Sequence, residues 1–266
     1  MTEDKTGVDL EEFTLYDIPV RRVHILSEEA AEGLRKPCGT YTTLTTGPLD
    51  ELASTEQICS CLIEQLRPLL EPFYGKPLCI CGIGNPDTPA DSLGPETARR
   101  IMPHFYEAVE IPSNFSKVAV ICPGVFGKTN LSTETVISSV AKAMNAACVL
   151  TIDACVTQDV DRLCSTIQLT DTGMDNQWKL SSLRQSTLGV PVISVGVPTV
   201  IPISALLPER KTPDTSQLTP THIVDIIDVA SFIIACAITQ VVYPDIDHEN
   251  CRKFIEVFAH NIPPVN

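Results

Sequence analysis

Basic residues are scarce. Nineteen Lys+Arg stand against 33 Asp+Glu in 266 residues, a formal net charge of −14. No cationic excess exists to displace the counterions of a nucleic-acid backbone, which argues against direct nucleic-acid binding. Long apolar runs are missing as well: the longest is Phe232–Ile238, far short of the roughly 18 residues that read as a membrane span. The histidines, His24, His104, His222, His248 and His260, are scattered and form no close ligand pattern such as HExxH. Disulfide density is lacking too, since 11 cysteines in a chain of this length fall well below a stapled secreted scaffold. Most lie in apolar runs such as LCICGIG and AACVLTIDAC, where a reduced thiol behaves as a small hydrophobe. The acidic opening MTEDKTGVDLEE has no apolar signal segment behind it, and the expectation is a reduced, cytoplasmic protein. Cys59/Cys61 and Cys79/Cys81 are one residue apart, the wrong spacing for a zinc pair and a strained one for a disulfide.

What is present is an ordinary globular composition, 44% hydrophobic and 20% charged. The length allows one large domain or two small ones and a full core. We read residues 1–50 as an N-terminal segment packed on the core and 51–266 as a single α/β domain. In the first segment Val20–Leu26 and Gly39–Leu44 are strand-like. A helix opens near Thr55, with Ile58, Leu62, Leu66, Leu69 and Leu70 repeating at a period near 3.6. Pro77–Gly84 is continuously apolar, the pattern of a strand covered on both faces. A glycine-rich loop, a helix from about Glu96, a strand Lys117–Cys122, a helix Ser132–Met144 and a strand Ala147–Ile152 follow. Ser165–Leu169 and Val190–Val197 are further strands, and Gly196–Thr199 reads as a loop ending the last one. Thr219-Pro220 reads as an N-cap with proline at the first position of a long apolar helix, and a closing helix runs through Cys251 and Phe258. Strands alternating with helices imply a mostly parallel sheet with right-handed crossovers.

Three familiar motifs fail on their own spacing. Gly82-Ile83-Gly84 follows a strand, but the third glycine of a dinucleotide fingerprint falls on Asp87, whose charge repels a pyrophosphate. Gly127-Lys128-Thr129 resembles the end of a phosphate loop, yet Cys122 stands where the leading glycine belongs. Asp171-Thr172-Gly173 resembles the tripeptide of pepsin-like proteases, which need two facing copies. A turn or cap residue explains Asp171 more simply.

Two acids occupy better places. In a doubly wound fold, ligands bind beyond the carboxyl ends of the strands. Asp91 lies in the loop after the Pro77–Gly84 strand, and Asp153 directly ends the Val149–Ile152 strand. Two carboxylates at short range share one proton. The ionised member can then activate a water while the protonated one serves a leaving amine. A divalent cation between them would serve as well. The structural alternative has Asp91 capping the helix near Gly94 and Asp153 tying down its own loop.

The same residues carry a resemblance. Gly82-Ile83-Gly84-Asn85-Pro86-Asp87-Thr88-Pro89-Ala90-Asp91-Ser92-Leu93-Gly94-Pro95 resembles the signature of the germination proteases of endospore-forming bacteria. Cys122–Thr129, Thr151–Cys155, Ser165–Gly173 and Thr187–Val200 are similar to further motifs in the same order, and Lys36–Tyr41 and Leu218–Pro220 are weaker echoes. The resemblance spans about residues 20–260 and implies an α/β three-layer sandwich around a mostly parallel sheet, similar to the hydrogenase maturation protease or phosphorylase-like fold. It further implies an aspartic-type endopeptidase that cleaves small acid-soluble spore proteins at germination, made as a zymogen, assembled as a homotetramer and working in the cytoplasm of the spore core. Asp91 and Asp153 stand where the family has its two acids. Asn85 would orient a carboxylate or the substrate carbonyl, or else form an Asx-turn. Gly124 and Gly127 would offer N–H groups to an oxyanion, Lys128 would act as an electrostatic helper, and Asp171 would support the site. No cofactor is implied and the metal is open, because the maturation proteases recognise nickel. The alternatives are a metal-dependent peptidase of the same fold and an inactive, protease-like binding protein. The chain departs from the family where Ala90 separates Thr88-Pro89 from Asp91 and where residues 174–178 abbreviate a longer glycine-rich stretch.

Overall fold

Tyr16 and Asp17, both at positive φ (52° and 64°), close the first hairpin of the computed structural model. A two-residue loop with both φ positive matches the right-handed twist of the strands it joins. Those strands are β1 (Val8–Leu15) and β2 (Ile18–Ile25). The structure describes residues 7–50, 55–103, 117–176, 181–206, 216–246, 249–251 and 253. Helix α1 (Glu28–Leu34) starts on Ser27, whose hydroxyl accepts the Ala30 N–H at 3.3 Å, and β3 (Gly39–Thr45) returns beside β2. Helix α2 (Thr55–Leu70) follows, with Ile58, Leu62, Leu66 and Leu70 buried as its period requires. Next come β4 (Leu78–Gly82), α3 (Leu93–Arg99), β5 (Val118–Ile121), α4 (Phe126–Thr129), α5 (Thr133–Ala143) and β6 (Cys148–Val156). The order then runs β7 (Thr166–Thr170), β8 (Met174–Asn176), β9 (Ser181–Leu183), α6 (Gln185–Leu188), β10 (Val192–Pro202), α7 (Ile203–Leu206), β11 (Gln217–Leu218) and α8 (Ile223–Val242).

The main sheet has the order β1-β2-β3-β7-β10-β6-β4-β5, with β11 added to β10. Only β10, β6, β4 and β5 run parallel; β1, β2, β3 and β7 meander antiparallel onto that half. The sheet is therefore mixed rather than mostly parallel, because the added strands are not linked by crossover helices. Helices cover both faces of the parallel half. One apolar cluster joins Ile80, Leu150, Ile152 and Val195 to residues of α2 and α8; the other joins Cys79, Cys81, Val149 and Val192 to Ile137 and Ala141 of α5. This alternation of faces along β4 and β6 is why their sequences read as unbroken apolar runs.

Several boundaries differ from the sequence reading. β6 continues to Val156, so Asp153 lies inside a strand instead of ending one. On the β4 side pairing stops at Gly82↔Ile152, whereas β10 continues to pair with β6 past Gly196↔Asp153. Gly196–Thr199, expected as a loop, belongs to β10 for the same reason. Helix α3 begins at Leu93, earlier than Glu96. Thr219 caps no helix: its hydroxyl donates to the Thr199 carbonyl at 2.8 Å, and His222 precedes α8. Helix α8 is long and apolar enough by composition to cross a membrane, with a mean hydropathy of 1.9, yet 72% of that window is buried inside the fold. A helix apolar on nearly all sides is what a core packed between α2, α3 and the sheet demands. Residues 207–215, most of a charged, proline-containing stretch (207–219) whose sequence reads as a surface loop, lie outside the described residues, as do 177–178 of the abbreviated stretch and 254–258 at the end of the predicted closing helix.

None of the eleven cysteines is joined in a disulfide. Burial pushes the Cys61 and Cys164 thiols up to about 11 and Cys148 up to about 12, from an ordinary 9.0. Below pH 9 these thiols are protonated in both folded and unfolded chains and contribute no pH dependence. Above it the unfolded chain binds fewer protons, so stability falls as pH rises towards 11–12. Urea titrations at pH 7 to 11 should show a flat midpoint that drops above pH 9. In the same assay Ile233→Ala, at a position fully buried in α8, should cost about 2–5 kcal/mol.

Candidate active site

The site is built where α3 meets the ends of β4 and β6. The Ile83 N–H donates to the Ile152 carbonyl at 2.8 Å, carrying the chain off β4 along its neighbour. Gly94, in the first turn of α3, lies directly on the backbone of Ile83 and Ile152; a Cβ would overlap Ile83 N and O and Ile152 O. Gly82 faces the Gly94 carbonyl just as closely. Between these contacts the loop folds back on itself. Gly84 adopts φ +129°, and any side chain there would overlap the Asp91 carbonyl.

That fold-back fixes Asp91. Its Oδ2 accepts the Asn85 N–H at 2.9 Å. The Thr199 hydroxyl donates to the Ala90 carbonyl at 2.7 Å, pinning the 3₁₀ turn Pro89–Asp91 to β10. This turn also packs on β6. Asp153 is only 3% exposed, and its Oδ1 accepts the Ala154 N–H at 2.9 Å. The segments carrying the two acids are thus held against one another, Asp91 half-buried and Asp153 buried.

Asn85 acts through two different groups. Its N–H holds Asp91, while its side chain forms an Asx-turn: Oδ1 accepts the Asp87 N–H at 3.1 Å and Nδ2 donates to Thr88 Oγ1 at 3.0 Å. Lys128 lies on exposed α4 and pairs with Asp87 on the outer side of the loop. Gly124 sits at φ +73° in the turn after β5, and Gly127 is exposed with open space around it. Asp171 is turned to another task. Its Oδ1 accepts the Thr40 N–H at 2.7 Å, latching the end of β7 to the start of β3, where Gly39 leaves room for it.

Two neighbours escaped the sequence reading. Thr151 and Ser194 share a hydrogen bond at 2.7 Å, buried on β6 and β10. The strand period of two places Thr151 on the same face as Asp153, a signal the sequence did contain. Cys155, two residues further on, has its thiol pushed up to about 12, first by burial and then by the Asp153 carboxylate, with Arg162 opposing. It is a neutral thiol at ordinary pH and a poor nucleophile. Among the described residues no group of three or more His, Cys, Asp or Glu side chains is arranged to hold a metal.

Residues 1–215 match the family model described as germination protease. The germination protease of Clostridium tetani is 33% identical over 205 residues, covering 73% of this chain and 64% of that protein. The germination protease of Priestia megaterium is 29% identical over 211 residues, covering 73% and 56%. The chain therefore spans less than two thirds of the length of the curated relatives it matches. Among solved structures, a [NiFe] hydrogenase maturation protease from Thermococcus kodakarensis aligns with a TM-score of 0.41 and 18% identity, covering 67% of this chain and 98% of that one.

The close approach at Gly94 has a direct consequence. Gly94→Ala must push α3 off two strands and should destabilise by about 1–3 kcal/mol or more. Gly127→Ala, in open space, should change stability by no more than about 0.5 kcal/mol. Paired denaturant titrations read the difference.

Proposed function

The chain belongs to the germination protease family, and from that premise we propose that it is an endopeptidase using Asp91 and Asp153 as a carboxylate pair. The observation that carries the reading is the pinning of the Asp91 turn against β6 and β10, beside the strand that buries Asp153. In this reading one of the two acids, Asp91 half-buried and Asp153 buried, serves as the base and the other as the acid. The ionised carboxylate takes a proton from water as it attacks the scissile carbonyl. The protonated one then gives its proton to the leaving amine. The Asn85 N–H aims Asp91, so Asn85 is a positioning residue in this scheme. Gly124 and Gly127 border the loop that would supply oxyanion donors, and Lys128 acts only through its pairing with Asp87. The high proton affinity of Cys155 favours acid–base chemistry over a thiolate nucleophile.

The substrates under this reading are small acid-soluble spore proteins, met in the cytoplasm of the spore core by a homo-oligomer. In this reading the catalytic unit is residues 51–266, and β1–β3 of the first fifty residues extend its sheet. Family membership supports the protease assignment and is consistent with the spore-core location.

The test uses purified full chain and a small acid-soluble spore protein. Asp91→Asn and Asp153→Asn should each lower kcat by about 10² to 10⁴ with an unchanged circular dichroism spectrum. Wild-type cleavage should survive EDTA. Undiminished cleavage in both variants would overturn the pair, and loss of activity to EDTA would replace it with metal-assisted hydrolysis.

A further inference from the structure

A cavity of about 270 Å³ is lined by residues of β3, β7, β10 and β6, where the antiparallel strands join the parallel half. Gly196 and Cys155 line it, and so do four cations: Arg35, Lys36, Arg162 and Arg184. In a chain of net charge −14 this is a local reversal of sign. The cations arrive from separate elements. Arg35 caps α1 in the left-handed conformation (φ 53°), its N–H donating to the Ala31 and Glu32 carbonyls, and so turns the chain towards the sheet. Lys36 then lies over the Tyr41 ring, 4.6 Å from its centroid. The ring is itself held: its hydroxyl donates to the Pro37 carbonyl at 2.9 Å and accepts from Thr172 Oγ1 at 3.1 Å. Arg162 ends the 3₁₀ turn Val160–Arg162, and Arg184 precedes α6.

Within the described residues, Arg35, Lys36 and Arg162 have no carboxylate at ion-pair distance. Partial burial, and after it the Arg162 guanidinium, hold the Lys36 ammonium below its ordinary value. The fold thus keeps like charges together around a polar hollow, and hydroxyls such as those of Thr170 and Ser194 line the same space. A single acidic side chain would neutralise only one of the three cations Arg35, Lys36 and Arg162. A phosphoryl group carries up to two charges and three or more acceptor oxygens, and it suits guanidinium forks, which bind it through paired N–H donors.

We propose that this cavity binds the phosphoryl group of a small molecule, either free phosphate or pyrophosphate, or a small phosphate monoester. The cavity adjoins the strand that carries Asp153, but the proposal does not depend on the peptidase reading. The ligand would rest on Gly196, which pairs directly with Asp153 across the β10–β6 ladder.

Isothermal titration of the full chain at pH 7, with inorganic pyrophosphate and with glycerol 3-phosphate as separate probes, tests it. One-to-one binding of either is expected, with the free anion alone, the ester alone or both identifying the source. Arg162→Gln and Lys36→Met should each raise Kd about tenfold, equivalent to about 1.4 kcal/mol, with native near-ultraviolet dichroism. Added salt should weaken binding in the wild type. No heat with either probe, or equal affinity in both variants, would overturn the proposal. So would displacement of pyrophosphate by a glutamate-containing peptide, which would make the cavity an arm of the peptide cleft.

Discussion

Everything at the candidate active site depends on one contact between backbones. The first turn of α3 rests directly on Ile83 and Ile152, and it can do so only because position 94 has no side chain. Moving that helix outward by the width of a methyl group would lift the Asp91 turn from β6 and loosen the Thr199–Ala90 hydrogen bond. Hydrophobic burial behind the helix, chiefly from α8, presses the layers together, but it has no direction. The glycines and the few side-chain-to-carbonyl bonds supply the direction.

A division of labour among polar residues follows. Asp171, one of the acids singled out from its motif, spends its carboxylate on Thr40 and stabilises the junction between β7 and β3. Lys128 and Asp87 neutralise each other at the rim. Asp153 has a different environment, buried on a strand with its carboxylate bound to its own following N–H and a high-affinity thiol two residues away. The acids therefore differ in what surrounds them, and it is the surroundings that separate a structural carboxylate from a candidate for proton transfer.

The basic cavity gives the antiparallel half of the sheet a chemical character of its own. The parallel half is covered on both faces and presents the acids at its end. The strands added beside β10 support a hollow lined by hydroxyls and bordered by cations from α1, the turn after β6, and the segment before α6. Composition could not reveal this. A strongly acidic total conceals a local cluster of opposite sign, because the cations come from three segments far apart in the chain, around residues 35–36, 162 and 184, and converge only through sheet pairing.

Short-range order was legible in the sequence. The apolar period of α2, the unbroken runs of β4 and β10, the helix beginning near Ser132 and the loop bearing Asp91 all follow from local patterns, and local sterics and hydrogen bonding create those patterns. Strand ends and strand directions were not. Asp153 became a mid-strand residue because β10 continues alongside it, and the sheet became mixed because β3 and β7 pair with distant partners. The residues that surround the two acids, Thr199 and Ser194 among them, were likewise decided by tertiary structure. Pairing between segments distant in sequence is set by the collective packing of the core, and no local window contains that information.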